Sequence, residues 1–149
     1  MFNLFKKIAK NTTQEIMASY GGNKDFLEAV CAACALVANA DGNIEDSEKT
    51  KAISVVNNHP TLSQMYQQKD IETCLETMFK RAKDASGRQM LARELDDIKG
   101  AENGAKMSDD VYLMALDIAG ADGNVGDDEK AVLAKIAKRL GVDTSKFEF

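Results

Sequence analysis

Carboxylates at a repeated spacing are the residues of this sequence best suited to chemistry. Ala40-Asp41-Gly42-Asn43-Ile44 is followed by Asp46, Glu48 and Lys49, and Ala121-Asp122-Gly123-Asn124-Val125 is followed by Asp127, Glu129 and Lys130, at one constant offset. Asp41 and Asp122 each close an apolar helical pattern, where the helix dipole disfavours an anion. Asp46 and Glu48 in one copy, and Asp127, Asp128 and Glu129 in the other, add repulsion. A hard divalent cation, which takes several oxygen ligands, would offset both effects.

The spacing invites comparison with the EF-hand loop. With the glycine at the sixth loop position, Asp41, Ile44 and Glu48 fall at the fifth, eighth and twelfth, and Asp122, Val125 and Glu129 do the same. The first position, an aspartate in a standard loop, is Val37 or Ile118, and the third is Asn39 or Gly120. Each turn is at most half a site, and two halves brought together would make a whole one. A structural reading stands beside this one. Gly42 and Gly123 supply positive φ, Ile44 and Val125 tuck under the turn, and Glu48 and Glu129 serve backbone N–H groups in the first turn of the next helix.

The elements that must position these turns are helices. From Lys24 to Asn39, the residues Phe26, Leu27, Val30, Cys31, Cys34, Val37 and Ala38 recur at helical spacing and predict a buried face. A second helix is expected from about Asp46 to Asn57, ended by His59-Pro60, with Thr61 capping a short helix after it. Asp70 opens a stripe of Ile71, Leu75, Met78, Phe79 and Ala82. The pattern is interrupted or bent at Gly87 and resumes with Met90, Leu91, Leu95 and Ile98. Lys99 to Lys106 reads as a loop, and Ser108 as the start of a helix bearing Val111, Tyr112, Ala115, Leu116 and Ala119. The last long helix runs from about Asp128 to Leu140, with Gly141 as its stop. No stretch alternates as a strand does.

The expected fold is therefore all-α: duplicated helix-turn-helix units in a compact bundle of about seven helices, related by a pseudo-twofold axis. One domain spans 1–149. It comprises an N-terminal amphipathic segment (1–22), a first repeat (23–60), a variable middle (61–106) and a second repeat (107–149).

The two Ala-Asp-Gly-Asn turns, with their downstream glutamate and lysine, resemble the paired motifs of the TerB family of tellurite-resistance proteins. The stretch from Ala121 to Lys130, the cysteine-bearing helix that leads into the first turn, and the tail ending Phe147-Glu148-Phe149 are similar as well. The likeness covers most of the chain and is weakest over about 60–105. It implies a duplicated helical bundle in a stress-response system. It also implies a divalent metal at the acidic turns, calcium or another hard cation. The ligands carried over by position are Asp41, Glu48, Asp122 and Glu129, with Asp46 and Asp127 in support. The partners it implies are a TerC-type integral membrane protein and a calcium-binding TerD-type protein. Glu45 and Gly126 depart from the family, standing where members often carry a capping serine.

Other chemistry is less well supported. The net charge of −5 and pI near 4.9 leave no basic stripe for nucleic acid. Cys31 and Cys34 fit a C-x-x-C spacing, but they fall mid-helix among alanines, whereas a redox pair wants an exposed thiol at a helix start. A zinc site would have only Cys74 and His59 to add, and no histidine pairs with a nucleophile. The chain is accordingly expected to be non-enzymatic. Its three cysteines and the lack of a signal peptide point to a cytoplasmic protein with reduced thiols. The start of the chain combines Phe2, Leu4, Phe5 and Ile8 with Lys6, Lys7 and Lys10. It suits either a helix packed on the domain or peripheral docking of 1–10 at the inner face of the membrane.

Overall fold

A computed structural model of the chain describes residues 24–120 and 123–148. The N-terminal segment 1–22 and its proposed membrane contact lie outside them, as do Ala121, Asp122 and Phe149. Seven α-helices and no strand are found among the described residues: α1 (Lys24–Ala38), α2 (Asp46–Asn58), α3 (Pro60–Met65), α4 (Gln68–Arg81), α5 (Ala85–Lys99), α6 (Gly104–Ala119) and α7 (Asp127–Leu140). A 3₁₀ turn, Thr144–Phe147, follows. The all-α bundle expected from the periodicity is the observed architecture.

The bundle is organised around α1. Its sequence suggested one apolar face, yet Phe26, Leu27, every residue from Ala29 to Ala35, and Val37 are all buried. A helix apolar on every side belongs inside a protein, and α1 packs against α2, α4, α5, α6 and α7. Its alanines and cysteines let those neighbours approach closely. The surrounding helices turn ordinary stripes inward, such as Leu91, Leu95 and Ile98 on α5 and Leu133, Ile136 and Leu140 on α7. Fully burying a leucine or isoleucine side chain stabilises by about 1.5–3 kcal/mol, so these stripes fix which faces meet. Among the described residues, no helix is long and apolar enough to cross a membrane.

Two boundaries and the burial of one residue differ from expectation. The Asp70–Ile98 region is interrupted rather than bent, and the break falls ahead of Gly87, between Arg81 and Ala85. The Asp84 carboxylate accepts the Gly87 N–H at 2.6 Å and starts α5. Gly87 lies in the first turn of that new helix, where a Cβ would fall 1.8 Å from the Arg81 carbonyl oxygen. Glycine is there to admit the backbone of α4. α6 begins at Gly104, ahead of Ser108, and Ser108 is buried within it instead of capping it. Met90, expected on the apolar stripe, is 43% exposed.

The C-terminal tail packs on the bundle. Gly141 ends α7 at φ 73°, the left-handed cap its position suggested. Beyond it Phe147 stacks on Tyr112 with ring centroids 5.9 Å apart, and Lys146 pairs with Asp109.

Candidate functional site

The first turn links α1 to α2. The Gly42 N–H donates to the Asn39 carbonyl at 2.9 Å, and Gly42 itself sits at φ 89°. The second turn links α6 to α7 and repeats the arrangement: the Gly123 N–H donates to the Gly120 carbonyl at 2.9 Å, with Gly123 at φ 86°. A Cβ at either glycine would meet nothing within 4 Å, so the positive φ alone calls for glycine. Ile44 and Val125 are partly buried against the core. Each anchors its turn from beneath, as the spacing suggested.

Both turns border one cavity of about 400 Å³. Ala40, Asp41, Glu48 and Lys51 line it from the first turn and α2, and Gly126, Asp127, Asp128 and Glu129 line it from the second turn and α7. Its floor is apolar, made by Cys34, Val37 and Ala38 of α1 with Ile118 and Ala119 of α6. Partial burial, with the carboxylates of Asp41, Glu45 and Glu129 nearby, holds the Glu48 carboxyl above its ordinary value. Negative charge from one repeat is thus felt by an acid of the other.

The sequence-derived candidates divide into those the cavity gathers and those it does not. Asp41, Glu48, Asp127 and Glu129 border it. Asp46 does not: its carboxylate is fully exposed and lies 3.8 Å from the Lys49 ammonium. Asp122 falls outside the described residues. Asp41 and Glu129 also have backbone duties. Asp41 accepts the Asn43 N–H at 3.1 Å, and Glu129 accepts the Gly126 N–H at 3.3 Å. Among the described residues, no three His, Cys, Asp or Glu side chains stand close enough together to hold a metal ion.

Two features of the site were not singled out from sequence. Lys51 places an ammonium among the carboxylates that line the cavity; its position, three residues after Glu48 on α2, put both on one helical face. Glu45, noted only as an uncapped helix start, adds to the field on Glu48.

The family model described as "Tellurite resistance protein TerB" matches residues 27–149. That span holds both acidic turns and all seven helices but the first residues of α1. The chain belongs to this family. No curated protein and no solved structure matches it.

Proposed function

We propose that this TerB-family chain is a non-enzymatic helical module that binds a divalent cation, calcium or another hard cation, between its two acidic turns. The observation that carries the reading is the shared cavity, which carboxylates from both repeats line; partial burial first, and then neighbouring acids of both turns, raise the Glu48 carboxyl above its ordinary value. The donors are all carboxylate oxygens, the type hard cations prefer. Asp41, Glu48, Asp127 and Glu129 would supply them, with Asp122 as the sequence counterpart of Asp41. A cation would relieve the repulsion that these acids place on Glu48, and the Lys51 ammonium, on the same wall, would compete with it.

A cation held between the turns would tie α2 to α7 and so stabilise the surface they form. We assign that surface to protein partners within a tellurite-resistance and stress-response assembly, of which a TerC-type membrane protein and a TerD-type protein are the family's candidates. None of the described helices can cross a membrane, so membrane association would come through such a partner or through residues 1–10. Cytoplasmic placement at the inner face of the membrane is part of the same proposal.

Titration calorimetry with calcium, magnesium, manganese and zinc tests the reading, together with melting curves in each. Binding that disappears in an Asp41→Asn, Glu48→Gln double variant supports it. Absence of both heat and melting shift with all four cations overturns it.

A second reading has its own support. Asp41 and Glu129 each accept a backbone N–H of their own turn, which supports a purely structural role for these acids. On that reading the protein is a metal-free scaffold whose acids only cap helices.

A further inference from the structure

A second concavity lies between α5 and α7, with the end of α1 at its base. Its volume is about 1020 Å³, and Ala40 is the one residue that it shares with the acidic cavity. Leu36 of α1, Ala92 and Leu95 of α5, and Val132 and Ile136 of α7 give it an apolar floor. Leu95 and Ile136 are buried, whereas Leu36, Ala92 and Val132 keep part of their surface exposed.

The rim carries the opposite charge to the chain as a whole, whose net charge is −5. Arg88, Lys99, Lys135, Lys138 and Arg139 border the groove, with Asp96 as its one carboxylate. Asp96 is already engaged, accepting two hydrogen bonds from Arg139 at 2.9 and 2.8 Å. Arg88 donates to the Ala82 carbonyl at 3.0 Å, a bond that steadies its side chain without neutralising it. Lys99, Lys135 and Lys138 are exposed and pair with no carboxylate among the described residues. Lys99, Lys138 and Arg139 stand in the last turns of their helices, where the dipole favours a cation. Lys135 lies outside that turn, so the helix ends do not account for the whole rim.

We propose that this groove docks an acidic amphipathic α-helix of a partner protein, with its apolar stripe on the floor and its carboxylates against the rim lysines. The cations are spread out: Arg88 and Lys99 stand roughly three turns apart on α5, about 16 Å along its axis. A single phosphate cannot meet both, whereas a helix lying along the groove can. The apolar floor is recessed between two helices. A helix ridge seats in such a trough, and the flat surface of a bilayer does not reach its base. Charge complementarity selects the sign of the partner: carboxylates flanking the stripe gain from the rim, and lysines there are repelled.

The test uses a fluorescein-labelled synthetic peptide of about 15 residues, roughly four helical turns, with leucines on one stripe and glutamates on its flanks. Fluorescence anisotropy is read in EDTA, so the outcome does not depend on the cation reading. The parent chain should bind this peptide about tenfold more tightly than a scrambled peptide of the same composition, and should reject a version with lysine in place of glutamate. A Lys135→Glu, Lys138→Glu double variant should weaken binding about tenfold, since two exposed attractions become repulsions. Ala92→Glu, which places bulk and negative charge on the floor, should weaken it as well. Far-ultraviolet circular dichroism checks the fold of both variants. Amide chemical-shift changes in the parent chain should fall on α5, α7 and the end of α1, and this mapping stands whether or not a variant folds. Equal binding of the scrambled peptide, shift changes on other helices, or no binding at all would overturn the proposal. So would displacement of the peptide by phosphatidylglycerol vesicles, which would make the rim a lipid-binding face.

Discussion

The two acidic turns have nearly the same sequence and the same left-handed glycine, yet they use their glutamates differently. Glu129 accepts the Gly126 N–H and closes half a capping box; Gly126, lacking a side chain, cannot return the second bond. At the equivalent place, Glu45 begins α2 with no side-chain cap. Glu48 is held above its ordinary value by partial burial and by its acidic neighbours. One turn commits its glutamate to its own helix, and the other leaves it under repulsion. A charge-rich motif repeated in a chain therefore need not perform the same task twice. The half with the strained acid is where a cation would change most.

The largest test of this difference adds a cation. If the turns share one, at a hundredfold excess over Kd the folded state gains about 2.7 kcal/mol, which raises the melting temperature by several degrees in a chain of this size. Glu48→Gln should remove most of that gain. Glu129→Gln should remove less, because its carboxylate is already shared with a backbone N–H. Equal losses in scanning calorimetry would erase the proposed distinction.

The glycines test the part that the two turns have in common. Gly42→Ala and Gly123→Ala each place a side chain at positive φ, at a cost of about 1–2 kcal/mol. The added methyl meets nothing at either position, so the two penalties should match within error in urea unfolding. A much larger loss at one of them would mean that its turn carries a packing role the other lacks.

pH separates the glutamates without any ligand. Because the folded-state value of Glu48 is raised, the unfolded chain gives up this proton first as pH increases. Stability from this group is fully present below the ordinary carboxyl range and is lost as pH climbs through the raised value. Glu94 adds a second decline of the same sign between its ordinary 4.5 and about 7, so the Glu48 effect is read as the difference between the parent chain and Glu48→Gln. That variant should flatten the decline and gain stability at neutral pH. Glu129→Ala should lose about 1 kcal/mol at neutral pH through its missing hydrogen bond. Urea midpoints at pH 4 and pH 7.5 check both.

Much of this comparison could be read from the residues alone. The helical stripes, the positive-φ glycines, the Gly141 stop and the approach of two acidic turns all follow from local pattern and from repetition. What could not be read depended on contacts between elements. Gly87 and Gly104 looked like helix breakers because glycine is a poor helix former. Each instead begins a helix at a point where neighbouring backbone leaves no room for a Cβ. Asp46 looked equivalent to the other acids, but its position on α2 turns it toward Lys49 and solvent. The all-round burial of α1 arises only when five helices pack on it.

The smallest effect concerns the helix starts themselves. Both α2 and α7 begin without a side-chain cap, from Glu45 at φ −77° and Gly126 at φ −69°. Serine adopts either geometry and can offer its hydroxyl to the N–H groups of the first turn. Glu45→Ser should stabilise by up to about 1 kcal/mol, since it adds a cap and removes one of the charges that press on Glu48. Gly126→Ser should gain only about a few tenths of a kcal/mol, because glycine is already a tolerable cap and the Glu129 bond is in place. A Cβ at Gly126 would lie 3.5 Å from the Glu129 carboxylate oxygen, an ordinary contact. The order of the two gains is the informative result. If Gly126→Ser proved the more stabilising, the Glu129 bond would not be satisfying the start of α7, and the contrast between a committed and a strained glutamate would fail at its structural root.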